Sequence, residues 1–174
     1  MPALAEPLEP ARTIEDPTTY EPLSGFSCGP GEEAWERHVN RVVARLFDGE
    51  AIPQTLLALE DADGALVAVC SFWLGDLLTP LQRAPIRDAP YINVIGVDRR
   101  FQGLRLADGS RPGDAMLHGA LATIQALYGH RHVFALVAPE NDRAHALFAR
   151  HGFGEVSPMK GGGQALRIRP PMPI

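Results

Sequence analysis

The stretch YINVIGVDRRFQGLRLADGSRPGDAML, residues 91–117, decides the fold. Its first seven residues are mostly apolar and β-branched, which predicts a strand over 91–97. Pro112 suits the first turn of a helix, and the apolar residues after it recur at helical spacing, which predicts a helix over 112–129. A second apolar run, 132–139, predicts a buried strand. A strand, a helix and a strand in this order form a β-α-β unit with parallel strands.

The segments around this unit complete an α/β pattern. Hydrophobic periodicity and turn residues predict the other elements. These are a strand at 18–23, a helix at 31–50, a hairpin at 54–75, a long loop at 76–90, a short helix at 141–152 and strands at 153–156 and 164–170. The order indicates a three-layer α/β domain around one mixed central sheet.

The length of 174 residues predicts one domain, which we place at residues 18–174. Residues 1–17 hold four prolines and little hydrophobic pattern, so we expect a disordered N-terminal tail. They lack the basic start and apolar block of a signal peptide, and no apolar run in the chain approaches the ~20 residues of a membrane span. We therefore expect a cytoplasmic protein without membrane association.

Charge and cysteine content exclude several classes of function. The formal net charge of −5 makes nucleic acid an unexpected partner. Cys28 and Cys70 fit no metal spacing and no disulfide framework. The pair His130 and His132 lacks further ligands at metal spacing, so no metal site is expected.

The connection between the first strand and the helix of the β-α-β unit is a candidate anion site. A helix N-terminus presents unpaired backbone N–H groups and the positive end of the helix dipole. Glycines let the backbone approach phosphate oxygens closely. From these local features alone, the connection is either a phosphate-binding loop or a surface loop that precedes a helix.

Two motifs together resemble the GCN5-related N-acetyltransferase (GNAT) superfamily. The first motif of that family reads roughly V-x-P-x-Y-R/Q-G-x-G-x-G/A and continues into a helix. Val97, Phe101, Gln102 and Gly103 stand in its opening positions, and Arg99 replaces the usual proline.

The second motif reads N-x-x-A-x-x-L-Y-x-x-x-G-F in the family. The chain matches it at every spacing, with Phe148 in the place of the tyrosine. The matching residues are Asn141, Ala144, Leu147, Phe148, Gly152 and Phe153. The resemblance covers roughly residues 54–169.

The resemblance implies acetyl-CoA (CoA) as the cofactor. Backbone groups of Ile95 and Val97 would pair with the pantetheine arm, and Asn141 and Phe148 would lie near it. Asn141 also suits the N-cap of the short helix, and Phe148 suits core packing. Some of the N–H groups in the connecting loop would hold the pyrophosphate. The candidates are Gln102, Gly103, Leu104, Arg105, Arg111, Gly113, Asp114 and Ala115.

The loop is longer than the family motif. The family needs about four residues where this chain takes ten, from Gly103 to Gly113, which indicates an insert of roughly six residues. Arg105 and Arg111 are either donors to the CoA phosphates or exposed loop arginines. Asp114 is expected to help cap the helix.

The catalytic positions depart from the family pattern as well. Phe148 has no proton to give to a leaving thiolate, which the family tyrosine often supplies. Tyr91 and Asn93 occupy the strand positions where the family commonly places its general base, and we select them as the candidate catalytic pair. His145 is an alternative acid, and Glu60 and Asp76 are alternative remote bases acting through water.

The expected function is transfer of an acetyl group to an amine of a small molecule, protein or peptide, by direct attack in a ternary complex. One alternative is a CoA-binding sensor or scaffold with little or no activity. Another is an aminoacyl-tRNA-acetylating toxin, because the segment before the first helix is similar to that of GNAT toxins. We interpret Cys28 as a buried small residue rather than a nucleophile. A homodimer is compatible with the fold by analogy.

Overall fold

The computed structural model describes residues 8–51, 54–77, 86–158 and 165–169. The described residues contain three α-helices, which are α1 (Ala34–Phe47), α2 (Pro112–Tyr128) and α3 (Asp142–Arg150). They also contain seven strands, which are β1 (Arg12–Ile14), β2 (Thr55–Glu60), β3 (Leu66–Leu77), β4 (Ile86–Val97), β5 (Val133–Val137), β6 (Gly154–Pro158) and β7 (Ala165–Arg169).

The chain divides into two compact units. The first unit comprises Met1–Ser71 and Val94–Ala120, and the second comprises Phe72–Asn93 and Leu121–Ile174. β3, β4 and α2 contribute residues to both, and we describe each unit by itself.

In the first unit, β1 pairs antiparallel with β2, and Ile14 lies opposite Leu56. The carboxylate of Asp61 accepts hydrogen bonds from the N–H groups of Asp63 and Ala65, which closes the turn between β2 and β3. Gly64 in this turn has a φ of +78°, a value that glycine adopts without strain. The hairpin expected from the sequence is confirmed.

The core of the first unit lies between α1, the segment before it and the first strands. Glu33 and Glu36 form a capping box that fixes the start of α1, three residues inside the expected helix. Burial of apolar side chains from these elements supplies the main stabilisation. The buried members are Ile14, Leu23, Phe26, Cys28, Val43, Leu46, Leu56, Ala58, Leu66 and Val69.

The second unit carries a mixed sheet in the order β3-β4-β5-β7-β6. β4 and β5 run parallel, with Tyr91 opposite Phe134 and Ile92 opposite Ala135. β5 pairs with β7 and β7 pairs with β6, both antiparallel. The parallel pair requires a long crossover, which contains α2. The mixed α/β class and the β-α-β unit are therefore confirmed.

Two predictions near the N-terminus differ from the structure. Residues 18–23 form no strand; they belong to two 3₁₀-helices, Pro17–Thr19 and Glu21–Gly25. The carboxylate of Asp16 accepts from the N–H of Thr18 and caps the first of them. The edge strand is instead β1, which lies within the expected tail and buries Ile14. Residues 1–7 of that tail lie outside the described residues.

The expected loop 76–90 is shorter than predicted at both ends. β3 continues through Leu77, and β4 begins at Ile86. Arg87 forms an ion pair with Asp76, and the N–H of Asp88 donates to the same carboxylate. These contacts extend the pairing of β3 with β4. They join residues that are separated by 11 and 12 positions in the chain, so local sequence does not indicate the longer strands. Residues 78–85 of the predicted loop lie outside the described residues.

No helix among the described residues is both long enough and apolar enough to span a membrane.

Candidate cofactor and active site

The turn after β4 is built around the side chains of Asp98 and Gln102. Asp98 caps a 3₁₀-helix, Arg99–Phe101, by accepting from the N–H of Arg100 at 3.0 Å. The Nε2 of Gln102 donates to the carbonyl oxygen of Val97 at 3.0 Å and to that of Cys28. The Nε2 of the Gln102 side chain therefore stabilises the turn.

The backbone N–H groups of Gln102 and Gly103, in the turn after β4, and of Gly113, in the first turn of α2, have no acceptor among the residues that the structure describes. Gly103 has a φ of +80°, and no other atom lies within 4 Å of where a Cβ would stand. A short anion-binding turn requires both properties, a left-handed glycine and open space beside the backbone.

Other N–H groups of the predicted cradle already donate within the protein. The N–H of Leu104 donates to Phe101, and those of Asp114 and Ala115 donate to the carbonyl oxygen of Arg111 at 2.9 and 3.1 Å. The donors that we still predict for the pyrophosphate are therefore the N–H groups of Gln102, Gly103 and Gly113, together with the loop arginines.

The insert in the loop is closed by its own hydrogen bonds. Asp108 accepts from both the N–H and the hydroxyl of Ser110, at 2.9 and 2.6 Å. Arg105 donates to the carbonyl oxygen of Gly109 at 2.8 Å, and Leu106 is buried. Asp108 and the donating nitrogen of Arg105 thus stabilise the insert itself, while Arg111 has an exposed side chain.

β4 alternates between a buried side and a half-exposed side. Ile92 and Val94 are buried, whereas Tyr91, Asn93 and Ile95 are half-buried, as is Val97. The two-residue period of a strand therefore places the four predicted site residues on one side of β4.

Tyr91, on β4 in the second unit, has a restrained ring and a raised pKa. Its ring meets that of Trp73 edge to face at 6.1 Å between centroids. Burial raises the pKa of Tyr91 to about 12, and a hydrogen bond with the backbone of Leu136 offsets this only partly. The phenol is therefore protonated at neutral pH and is not available as a phenolate base.

The second motif folds as its residue pattern predicts. Asn141 accepts from the N–H of Ala144 at 3.1 Å and caps α3. Gly152 has a φ of +81° beyond the helix end. Phe148 is buried against Phe153, with ring centroids 4.9 Å apart. The predicted cap and the predicted packing role are confirmed, and neither observation tests contact with a cofactor.

The alternative acids and bases are engaged elsewhere. The Nε2 of His145 lies 3.1 Å from the carbonyl oxygen of Ala138. A hydrogen bond from Arg12 holds the pKa of Glu60 below its ordinary value. Asp76 is paired with Arg87. The catalytic roles of these three residues, like those of Tyr91 and Asn93, stay predictions.

Cys28 is a buried residue with a suppressed thiolate. Burial raises its pKa to about 11, so it is a poor nucleophile at neutral pH. Among the residues in the described ranges, no three His, Cys, Asp or Glu side chains are grouped so that they could hold a metal ion.

Sequence reasoning missed two residues in this region. Asp98 is 1% exposed and organises the turn after β4. Its position before a 3₁₀-helix is a capping signal that the sequence contains. Trp73 is 38% exposed and contacts Tyr91. No local pattern indicates that contact, because it joins two strands.

No protein-family model matches this chain, and no curated protein sequence matches it. Solved structures do match. A bacterial toxin has a TM-score of 0.62 at 18% identity, over 93% of this chain and 89% of that chain. A GNAT family N-acetyltransferase (YhbS) from Escherichia coli, in complex with CoA, has a TM-score of 0.58 at 16% identity, over 97% of this chain and 84% of that one.

A mutant of the AtaT toxin, bound to the C-terminus of the antitoxin AtaR and to acetyl-CoA, is also similar. Its TM-score is 0.58 at 16% identity, over 92% of both chains. At these identities the likeness shows the fold alone. The chain has the α/β fold of the GCN5-related N-acetyltransferases, as its two motifs predicted.

Proposed function

We propose that this protein is an acetyl-CoA-dependent N-acyltransferase that transfers an acetyl group to an amine. The observation that carries the proposal is the set of backbone N–H groups at Gln102, Gly103 and Gly113, which have no acceptors among the described residues. They lie in the connection from β4 to α2, and the fold as a whole is similar to that of an acetyltransferase solved in complex with CoA. Backbone donors without acceptors, in a glycine turn and at a helix start, favour a pyrophosphate.

The other residues of the connection and of β4 suit the remaining parts of the cofactor. Backbone groups of Ile95 and Val97 would pair with the pantetheine arm, and the motif resemblance implies a contact from Asn141 as well. The charged guanidinium of Arg111 reaches the phosphates from its exposed position. Acetyl-CoA supplies a thioester whose carbonyl carbon accepts the amine.

In the proposed reaction a neutral amine nitrogen attacks the thioester carbonyl carbon in a ternary complex, and the C–S bond breaks. The departing sulfur needs a proton, and the amine nitrogen must lose one. The phenol of Tyr91, protonated at neutral pH, donates to the sulfur, and solvent accepts the proton from nitrogen. Asn93, on the same side of β4, orients the acceptor. The acceptor itself is a small-molecule amine or an amine of a protein or peptide.

Thermal unfolding with added cofactor tests the binding half of this proposal. A ligand that binds the native state alone stabilises it, by about 2.7 kcal/mol at one hundred times its Kd. We expect acetyl-CoA and CoA each to raise the Tm, and pantetheine, which lacks the pyrophosphate, to raise it less. An unchanged Tm with saturating acetyl-CoA and CoA would contradict the assignment of the cofactor.

An aminoacyl-tRNA-acetylating toxin is a second candidate, favoured by the likeness to two toxin structures. One of them is bound to an antitoxin, so a protein partner belongs to this alternative. The net charge of −5 does not favour tRNA binding. Growth arrest on expression, together with acetylated aminoacyl-tRNA, would support the toxin. Harmless expression and unmodified tRNA would remove it.

A CoA-binding domain without turnover is the third reading. It is favoured by Phe148, which fills the tyrosine position of the motif and is buried against Phe153. Tight CoA binding without thiol release, whichever amine is supplied, would establish it in place of the enzyme.

A further inference from the structure

The segment Ser27–Gly29, which precedes α1, is bonded to the turn that follows β4. The N–H of Ser27 donates to the carboxylate of Asp98 at 3.3 Å, and the N–H of Arg99 donates back to the carbonyl oxygen of Ser27 at 2.8 Å. The Nε2 of Gln102 donates to the carbonyl oxygen of Cys28. We call these three hydrogen bonds the clamp. All of its residues belong to the first unit.

Asp98 is the centre of the clamp because its two carboxylate oxygens face different partners. Oδ2 accepts from Ser27, and Oδ1 accepts from the backbone N–H and the Nε of Arg100, at 3.0 and 2.8 Å. The side chain is 1% exposed, so its charge depends on these donors. Burial alone would raise the pKa of Asp98, but the hydrogen bonds from Arg100 and Ser27 outweigh it and the pKa is lowered. The carboxylate is therefore ionised at neutral pH.

The Ser27–Gly29 segment is itself held by α1. Asn40 accepts from the N–H of Cys28 at 3.0 Å and donates to the carbonyl oxygen of Gly29 at 3.3 Å. The carboxylate of Glu36 lies so close to Gly29 that a Cβ there would meet its Oε1 at 2.1 Å. The clamp thus connects the turn after β4 to a segment fixed by a 14-residue helix.

The turn that the clamp holds includes the donors proposed for the pyrophosphate. The side chain of Gln102 is part of the clamp. The backbone N–H groups of Gln102 and Gly103 have no acceptor among the described residues. A loop fixed before the ligand arrives loses less conformational entropy on binding than a loop that must order around it.

We propose that Asp98 is a positioning residue for the cofactor: by bonding Ser27 and Arg100 at once, it fixes the backbone N–H groups of Gln102 and Gly103 for the pyrophosphate. This inference rests on the proposed function. It adds a role for a residue that touches no ligand, and it makes the segment before α1 part of the binding apparatus.

The variant Asp98→Asn tests the proposal selectively. Its amide oxygen can still accept from Arg100, but its NH₂ group then faces the N–H of Ser27, donor against donor. The measurement compares acetyl-CoA with acetyl-pantetheine, which has the same thioester without the pyrophosphate. We expect the preference of the wild type for acetyl-CoA, as a ratio of kcat/KM values, to fall at least about tenfold in the variant. The kcat/KM of the variant for acetyl-pantetheine should stay within about twofold of the wild-type value.

Arg100→Ala is the matched control. It removes the Nε donor to Oδ1 but keeps the backbone N–H of residue 100 and the bond to Ser27. Amide hydrogen exchange gives a readout without ligand. The amides of Ser27 and Arg99 should exchange faster in Asp98→Asn and stay protected in Arg100→Ala.

The outcomes separate this inference from the proposed function. An equal loss of kcat/KM with both thioesters would show that Asp98 supports the fold in general. An unchanged ratio of the two kcat/KM values would show that the clamp does not position the donors. Either result overturns the inference. A wild type that binds neither acetyl-CoA nor CoA overturns the proposed function, and the positioning role with it. Loss confined to acetyl-CoA, with faster exchange at Ser27 and Arg99, supports it.

Discussion

Trp73 and Tyr91 meet edge to face on the neighbouring strands β3 and β4, with ring centroids 6.1 Å apart. The contact restrains the Tyr91 ring, and burial raises the pKa of its phenol to about 12, so the phenol is protonated at neutral pH. A protonated phenol can donate its proton but cannot act as a phenolate base. This relationship is the basis for the proposed role of the Tyr91 hydroxyl as a proton donor.

Removal of that hydroxyl is expected to lower kcat. Tyr91→Phe keeps the ring against Trp73 but leaves no proton to donate, so we expect kcat to fall about 10²-fold with little change in KM for acetyl-CoA. Steady-state thiol release with the best acceptor amine measures both constants. Tyr128→Phe, whose ring packs on Phe72 instead, should retain wild-type kcat. A Tyr91→Phe enzyme with undiminished kcat would exclude the phenol as the donor.

Arg111 is expected to act on binding rather than on chemistry. Arg111→Ala removes an exposed guanidinium next to the start of α2, so KM for acetyl-CoA should rise several-fold while kcat changes little. The same steady-state assay separates the two constants. If Arg111→Ala lowers kcat and Tyr91→Phe raises KM, the two assignments are to be exchanged.

Gly96 on β4 is expected to be intolerant of any side chain. A Cβ there would lie 2.9 Å from Cγ1 of Val39 and 3.2 Å from the Phe26 ring. We expect Gly96→Ala to lower the free energy of unfolding by about 1–3 kcal/mol, the usual cost of overpacking. Urea unfolding measures it. Gly25→Ala is the control, because a Cβ added there would meet no atom within 4 Å and the φ of Gly25 is not positive; equal losses at both glycines would refute the steric explanation.

Substitution of Ser71 is expected to stabilise the protein, in contrast to substitution of Gly96. Its hydroxyl is fully buried on β3 and has no hydrogen-bond partner in the described part of the chain. A buried hydroxyl without a partner costs roughly 1–3 kcal/mol, so Ser71→Ala should raise the free energy of unfolding by about 1 kcal/mol.

The control for Ser71 is Ser24→Ala, since the Ser24 hydroxyl donates to the carbonyl oxygen of Glu21 at 2.8 Å near the surface. That variant should be neutral or slightly destabilised in the same urea titration. Destabilisation by Ser71→Ala would mean that its hydroxyl has a partner in the folded protein.

The sequence predicted those elements whose signals are local. Asn141 and Gly152 mark the two ends of α3 within one short stretch, and both act as the pattern indicates. The β-α-β unit was predictable for the same reason, because strand and helix periodicities alternate within one continuous stretch.

The features that the sequence did not predict depend on distant partners. Residues 18–23 resemble a strand, but the hydroxyl of Tyr20 donates to Glu60 at 2.5 Å and the guanidinium of Arg12 lies over its ring. Asp98 and Ser27 are 71 residues apart, so the bond between them has no local signature. Motif matching located the candidate cofactor loop, and only the structure distinguishes the N–H groups that already donate within the protein from those without an acceptor among the described residues.

The most direct test of the central claim is release of free thiol from acetyl-CoA in the presence of an amine panel that spans small amines and peptides. Mass spectrometry of the amine confirms acetyl transfer. The proposed function predicts thiol release that depends on at least one amine and matches the acetylated product in amount. No turnover with any amine, by a protein that binds CoA, would contradict the enzyme and leave a CoA-binding domain.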